Sequence, residues 1–437
     1  MTDARPHPLV AVVLHDGFYS CGTGAGRSNR AFLETLVGML LPGARLLVLP
    51  IHLSPGSSEY SAPWHAEMRA LIQHAGGQII PLSNGTHGTI RFGGLTQFKA
   101  ACTSAATVIS NYPQAPGGPM LIIAFDAPFY GLAPLLTPAA HRCLVNVARS
   151  TALLHDPGDR PRVEWERDGL HAAVAGGARV AAISAHMRHH LAGQYAIPVR
   201  ALLDLPNGLT AADWKPVAPA ARLLPAPARN GFVLAMGRAV PYKGFDDLID
   251  SLTLLKNAAI PVPHAVIAAV TEGRQRTPYQ EHLARRIAAA GLNATLLTRF
   301  DPQLRGLLSH PALAAVIVPS RAEPFGRVPL EAFAAGAAPV VATTAGGLAE
   351  LVINDLTGYT AQPEHPASLA AAISRGLACD PAGRARLRAA SRRLAASRYD
   401  LEQAVAAFCA EVAPWAVSTG KQGRQASHDG NSALGNG

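Results

Sequence analysis

Short apolar runs alternate with helix-patterned stretches along almost the whole chain, in two series separated by a proline-rich interval. The first series is LVAVVLHDG (Leu9 to Gly17), ARLLVLPIHL (Ala44 to Leu53), GQIIPL (Gly77 to Leu82), PMLIIAFD (Pro119 to Asp126), RCLVNVA (Arg142 to Ala148), ARVAAIS (Ala178 to Ser184) and VRALLDLPNG (Val199 to Gly208). The second is GFVLAMG (Gly231 to Gly237), HAVIAAV (His264 to Val270), NATLLTRF (Asn293 to Phe300), AAVIVPS (Ala314 to Ser320) and APVVATT (Ala338 to Thr344). Strand-like runs spaced by helical segments call for parallel sheets made of βαβ units. The expectation is an α/β protein of two Rossmann-like, doubly wound domains, which suits a chain of 437 residues. Open sheets of this kind bind ligands at the carboxyl ends of their strands, so the site is expected in a cleft between the domains.

The boundaries follow composition. Residues 1–214 form the first domain, expected to hold the acceptor of a reaction. Residues 215–230, KPVAPAARLLPAPARN, carry four prolines without usable periodicity and read as a linker. Residues 231–395 form the second domain, 396–417 a helix returning to the first, and 418–437 a polar, Gly-rich tail expected to be disordered.

Several classes are disfavoured. No apolar run reaches the length of a membrane span and the start lacks a secretory layout, so a soluble cytoplasmic protein is expected, with no integral membrane association. Five scattered cysteines give neither a disulfide frame nor a zinc cluster. The net charge of +9 is spread along the chain and aromatic residues make up 6%, which argues against a nucleic-acid partner. Positive charge in a cleft suits a phosphorylated small molecule.

Three loops carry chemistry. CGTGAGRSN follows the first strand and precedes a helix expected to start near Asn29, where backbone amides can meet an anion. It is a poor dinucleotide fingerprint, because the third glycine position falls on Arg27 and the next strand ends without an acid. In AMGRAVPYKGFDDLIDSL, Arg238 and Lys243 share one loop and form a clamp for a diphosphate; a surface ion pair of Lys243 with Asp246 or Asp247 is the plainer alternative. In AAVIVPSRAEPFGRVPLEAFAAG, Glu323 sits in the loop after a strand and Glu331 eight positions on, near the start of a helix. The free amides of Phe325, Gly326 and Arg327 lie between them. Paired carboxylates of this kind suit sugar hydroxyls, although either alone reads as a cap or ion pair.

With these flanks the chain resembles the retaining GT-B glycosyltransferases of family 4. The resemblance is carried by Glu323-Pro-Phe-Gly through Leu330-Glu331-Ala, by MGRAVPYKG, by AAISAHMRHHLAGQYAIPVRALLDLPNGL and by LAELVINDLTGY. It implies that Arg238 and Lys243 bind a donor diphosphate, Glu323 the transferred sugar and Glu331 the ribose. It also implies that Gly24 and Gly26 approach the phosphate, and that backbone around Arg299 and Phe300 meets the base. The catalytic set is then Glu323, Arg238 and Lys243, with a nucleotide sugar, a small-molecule acceptor and neither metal nor cofactor. UDP-glucose and UDP-N-acetylglucosamine are the expected donors. A nucleotide-sugar 2-epimerase on the same fold is the alternative.

One departure stands out. Where the family often has a histidine near the sugar, this chain has Arg149, with His155 further on. Asp16 and Asp126 join Arg149 as acceptor-side candidates. The segment LHDGFYSCGTGAGRSN loosely resembles actinobacterial transferases that build aminoglycoside-type antibiotics, whose cationic acceptors would need carboxylates such as Asp16, Asp126 or Glu164.

Overall fold

The computed structural model of the protein describes residues 8–20, 22–114, 117–218, 221–273, 275–337 and 339–418. The tail expected to be disordered therefore lies, apart from Ser418, outside the described residues.

Two all-parallel sheets account for the two series of apolar runs. The first contains β1 (Leu9–Leu14), β2 (Arg45–Pro50), β3 (Gln78–Ile79), β4 (Met120–Phe125), β5 (Leu144–Ala148), β6 (Arg179–Ala182) and β7 (Leu202–Asp204), in spatial order β3-β2-β1-β4-β5-β6-β7. The second contains β8 (Phe232–Arg238), β9 (His264–Thr271), β10 (Ala294–Arg299), β11 (Leu313–Val318), β12 (Val340–Thr343) and β13 (Tyr359–Ala361), in order β10-β9-β8-β11-β12-β13. Every run expected to be a strand is one, though often shorter. Val199 to Ala201 forms a 3-10 turn ahead of β7, and the edge strand β13 was not foreseen. The inner strands are largely buried, as β1 shows with six residues wholly enclosed, because helices cover both faces, while the edge strands β3, β10 and β13 are only partly covered.

In each sheet the order reverses direction once, between β1 and β4 and between β8 and β11. Crossovers on either side of such a point run to opposite faces, leaving a crevice at the carboxyl ends of the two strands. The carboxyl ends of β1, β4, β8 and β11 and the loops after them are therefore the ones aimed at a ligand, and they hold Asp16, Asp126, Arg238 and Glu323.

The helix after β1, α1 (Gly24–Met39), begins five residues before the expected Asn29. Thr23 is its cap: the hydroxyl accepts from the Gly26 amide at 2.9 Å and so extends the helix into the glycine loop. Further helices that matter for the site are α2 (Arg160–Ala175), α3 (Ala185–Gly193), α4 (Phe245–Asn257), α5 (Arg327–Ala335) and α6 (Leu401–Val412). Helix α6 packs on α1, with Phe408 edge-on to Phe32 at 6.5 Å, and Leu209 bridges to Asp400 just ahead of it. The interval 215–230 holds only 3-10 turns among its described residues.

Candidate functional site

A cleft of about 810 Å³ runs between the two sheets, lined from the first domain by the β1, β4 and β5 exits and from the second by the β8 and β11 exits. Arg238, Lys243, Glu323 and Glu331 all line it, as do Asp16, Asp126, Arg149, Gly24, Phe300, Phe325, Gly326 and Arg327. Arg299 and Gly26 do not. Arg299 is exposed at the end of β10, whereas Phe300 turns inward, its amide donating to the Thr271 carbonyl at 2.8 Å. Gly26 packs against Asp16 behind the lining of the cleft. A side chain there would meet the Asp16 carboxylate at 2.6 Å, so this glycine is needed for the approach of α1 to β1, while Gly24 has open space beside it.

The β8 exit makes a 3-10 turn over Pro241–Lys243 and enters α4 at Gly244, whose φ of 70° and contact with the Pro319 carbonyl exclude any side chain. This turn presents Lys243 to the β11 exit. Its ammonium pairs with Glu323, which also accepts from Ser320 Oγ at 3.2 Å. The expected alternative partners are occupied: Asp247 takes Arg321 in a fork of 2.6 and 2.7 Å, and Asp246 takes Arg286 at 2.8 Å and Tyr279 at 2.7 Å. The surface-pair reading of Lys243 is thus overturned. Arg238 donates to the Tyr242 hydroxyl, and the Tyr242 ring stacks on His155 of the first domain at 4.2 Å. Burial, with Lys243 and Arg238 close by, pushes His155 down to about 3, so its imidazole is neutral. Its Nδ1 is buried with no hydrogen-bond partner among the described residues.

Glu331, 3% exposed, sits in a cage of guanidinium groups. Arg327 approaches it at 3.0 Å, Arg27 at 3.2 Å and Arg305 at 3.7 Å, while Asp213 takes Arg305 at 3.0 Å. Burial pushes the Glu331 carboxyl up, but Arg27, Arg327 and Arg305 outweigh it and hold the group below its ordinary value. Three cations thus face two carboxylates. The sequence placed a ribose at Glu331 without foreseeing that Arg27 would cross from the first domain to meet it.

The first-domain floor of the cleft differs in kind. Asp16 accepts from the Gly17 amide at 2.7 Å and from Thr23, and lies 3.6 Å from Arg91. Burial raises its carboxyl, and Arg91, His15 and these donors bring it below normal. Arg91 also reaches Glu272 of the second domain at 3.0 Å, joining the two halves. Neither Arg91 nor Glu272 was foreseen, nor was Glu350, which accepts from the Ala185 and His186 amides at the start of α3. Asp126 holds φ at 73°, a strained value for a residue with a side chain, and burial raises its carboxyl against the pull of His15, Arg162 and Arg149. Glu164 is exposed on α2 and does not line the cleft. The carboxylates expected for a cationic acceptor are therefore bound to other groups, flanked by guanidinium groups, or elsewhere.

No helix of the described residues is long and apolar enough to cross a membrane. Residues 223–394 match the family model described as glycosyl transferases group 1. The chain is 37% identical over 212 residues to a glycogen synthase of Mycobacterium tuberculosis, covering 47% of this chain and 46% of that one. It is 34% identical over 238 residues to a D-inositol 3-phosphate glycosyltransferase of Frankia alni, covering 53% and 58%. The chain thus spans about half the length of the curated relatives it matches. Among solved structures it is similar to a sucrose-phosphate synthase from Thermosynechococcus elongatus, with TM-score 0.71, 21% identity and coverage of 92% and 98%. It is similar also to HepE of Anabaena in complex with UDP and glucose, with TM-score 0.65, 19% identity and coverage of 93% and 100%. The fold is GT-B, two Rossmann-like domains facing across a cleft, and its second half carries the sequence pattern of group 1 glycosyl transferases.

Proposed function

We propose that the protein is a retaining, metal-independent glycosyltransferase of the family 4 type, moving a hexose from a nucleoside diphosphate sugar to a small soluble acceptor. Residues 1–214 serve the acceptor and 231–395 the donor, with 396–417 returning to the first domain. The observation that carries this reading is the convergence of Arg238, Lys243, Glu323 and Glu331 on one cleft between the sheets. Arg238 and Lys243 neutralise the diphosphate as it leaves, which is where charge develops. The bond from the anomeric carbon to the diphosphate oxygen breaks, and a bond to the acceptor oxygen forms on the same face. The acceptor proton passes to the departing diphosphate. Glu323, released from Lys243 as the diphosphate takes its place, accepts from sugar hydroxyls, and Glu331 from the ribose. The backbone beside Phe300 meets the base, taken as uracil because HepE was solved with UDP on the same fold.

An aminoglycoside-type acceptor finds little support in the carboxylates just described. The 2-epimerase alternative is not favoured either, since the matched family and the named relatives are transferases. Mass spectrometry of UDP-glucose and UDP-N-acetylglucosamine incubated with soluble acceptors, with and without EDTA, tests the proposal. The expected result is an α-linked product with both donor conditions insensitive to EDTA. Conversion of donor to its C2 epimer without acceptor would overturn it.

A further inference from the structure

Arg149 is 5% exposed, at the end of β5, in the floor of the cleft. Its Nε donates to Asn29 and its Nη1 to Asn207, both neutral amides, and its guanidinium lies over the Phe125 ring at 4.9 Å. Among the described residues no carboxylate reaches ion-pair distance, and Nη2 has no protein acceptor. Every other buried guanidinium of the cleft described above has its acid: Arg91 has Asp16 and Glu272, and Arg27 and Arg327 have Glu331. A buried cation without an anion is costly, and a fold keeps one where a ligand supplies the missing charge.

The chemistry of that ligand follows. Burial pushes Arg149 down to about 9, with Asp126 opposing and Arg327 assisting, so the group is still a cation at neutral pH. The charged groups that act on it are Asp126 of the floor and Arg327 of α5. A diphosphate gripped by Arg238 and Lys243 is held at the second-domain wall of the cleft, whereas Arg149 stands at the β5 exit on the first-domain wall. Asn29 and Asn207 fix the guanidinium plane, which suits a planar or tetrahedral oxyanion met by the free edge.

We propose that Arg149 is a specificity-determining residue that receives a second anionic group, a carboxylate or phosphate, belonging to the substrates rather than to the donor diphosphate. The group is borne by the transferred sugar, as in a uronic acid, or by the acceptor, as in a sugar phosphate. The proposal rests on the transferase reading above, and its test separates the two.

Calorimetry on the full chain compares wild type, Arg149→Gln and Arg149→Lys. One arm titrates UDP-glucuronate against UDP-glucose; the other titrates glucose 6-phosphate and inorganic phosphate, with and without saturating UDP. In wild type one arm prefers the anionic probe, and Arg149→Gln loses that preference by about 10- to 100-fold, the worth of one charge-assisted contact. Arg149→Lys recovers part of it, while affinity for UDP stays within about twofold. A preference in the first arm assigns the anion to the sugar, in the second to the acceptor. Equal affinities in wild type and Arg149→Gln in both arms overturn the proposal. So does a loss of UDP affinity as large as that for the anionic probe, or melting of Arg149→Gln and Arg149→Lys at the assay temperature, because Arg149 would then merely hold Asn29 and Asn207. Failure of wild type to bind UDP at all sinks the transferase reading instead, and Arg149-dependent phosphate binding is then judged on its own.

Discussion

The two sides of the cleft solve the placement of charge differently. On the second-domain side, cations and carboxylates meet as close pairs: Lys243 of the β8 exit with Glu323 of the β11 exit, and Glu331 with Arg327 from the same helix turn. On the first-domain side each charged group comes from a separate segment, and Arg149 and Asp126 sit buried with no partner at ion-pair distance among the described residues. The Lys243–Glu323 pair, neutral when empty, can exchange partners for a ligand at small cost. A surface holding buried, unpaired charge is less stable until its ligand arrives. Under the proposed function, the difference matches a generic donor grip facing a floor shaped for one chemistry.

Removing one member of the Lys243–Glu323 pair puts the sharpest strain on this contrast. Lys243→Ala and Glu323→Ala are each expected to lower turnover by about 100- to 1,000-fold, the loss typical of one transition-state charge contact. Both side chains are partly solvated, so the melting temperature should move little. Steady-state transfer assays beside thermal melts decide it. Wild-type turnover in both variants would mean that the donor side is not the catalytic one.

The guanidinium cage around Glu331 should behave oppositely, as a structural element. Glu331→Gln leaves Arg27, Arg305 and Arg327 short of a counter-charge and should cost about 3 kcal/mol of stability. Because the wild-type carboxyl is held below 4.5, it stabilises the fold above that pH and loses the contribution as pH falls through the lower folded value. Melting curves from pH 7 to 3 should therefore converge for the two proteins toward the acid end. Parallel curves would show that Glu331 is not ion-paired in solution.

The same contrast explains what could be read from sequence. The strands were legible because buried parallel strands are apolar throughout, and β13 escaped because Tyr359–Ala361 is three residues at an edge, without periodicity. Helix α1 starts earlier than expected because Thr23 caps it and holds Gly24 and Gly26, weak helix formers, in helical backbone. Arg238, Lys243, Glu323 and Glu331 were legible because each follows a strand at the sheet's reversal of order. The contacts that join the domains were not. Arg91 with Glu272, Arg27 with Glu331 and Glu350 with α3 are long-range encounters between ordinary surface residue types, which no local pattern announces.

His155 lies where the two regions touch, and it gives the finest test. Its ring stacks on Tyr242 while its Nδ1 is buried without a partner among the described residues, so the side chain combines a packing role with an unused polar atom. Held down to about 3 by burial and by Lys243 and Arg238, it should stay uncharged anywhere between pH 5 and 8. His155→Phe preserves the stack and deletes Nδ1. If that nitrogen meets a substrate hydroxyl, the loss should be about fivefold in kcat/KM, one neutral hydrogen bond. The pH profile should keep its shape, since no charge has been removed. An inflection near 6.5 present in wild type and absent from His155→Phe would instead make this histidine a protonated member of the donor grip. The unpaired charge of the cleft would then not be confined to the first-domain floor.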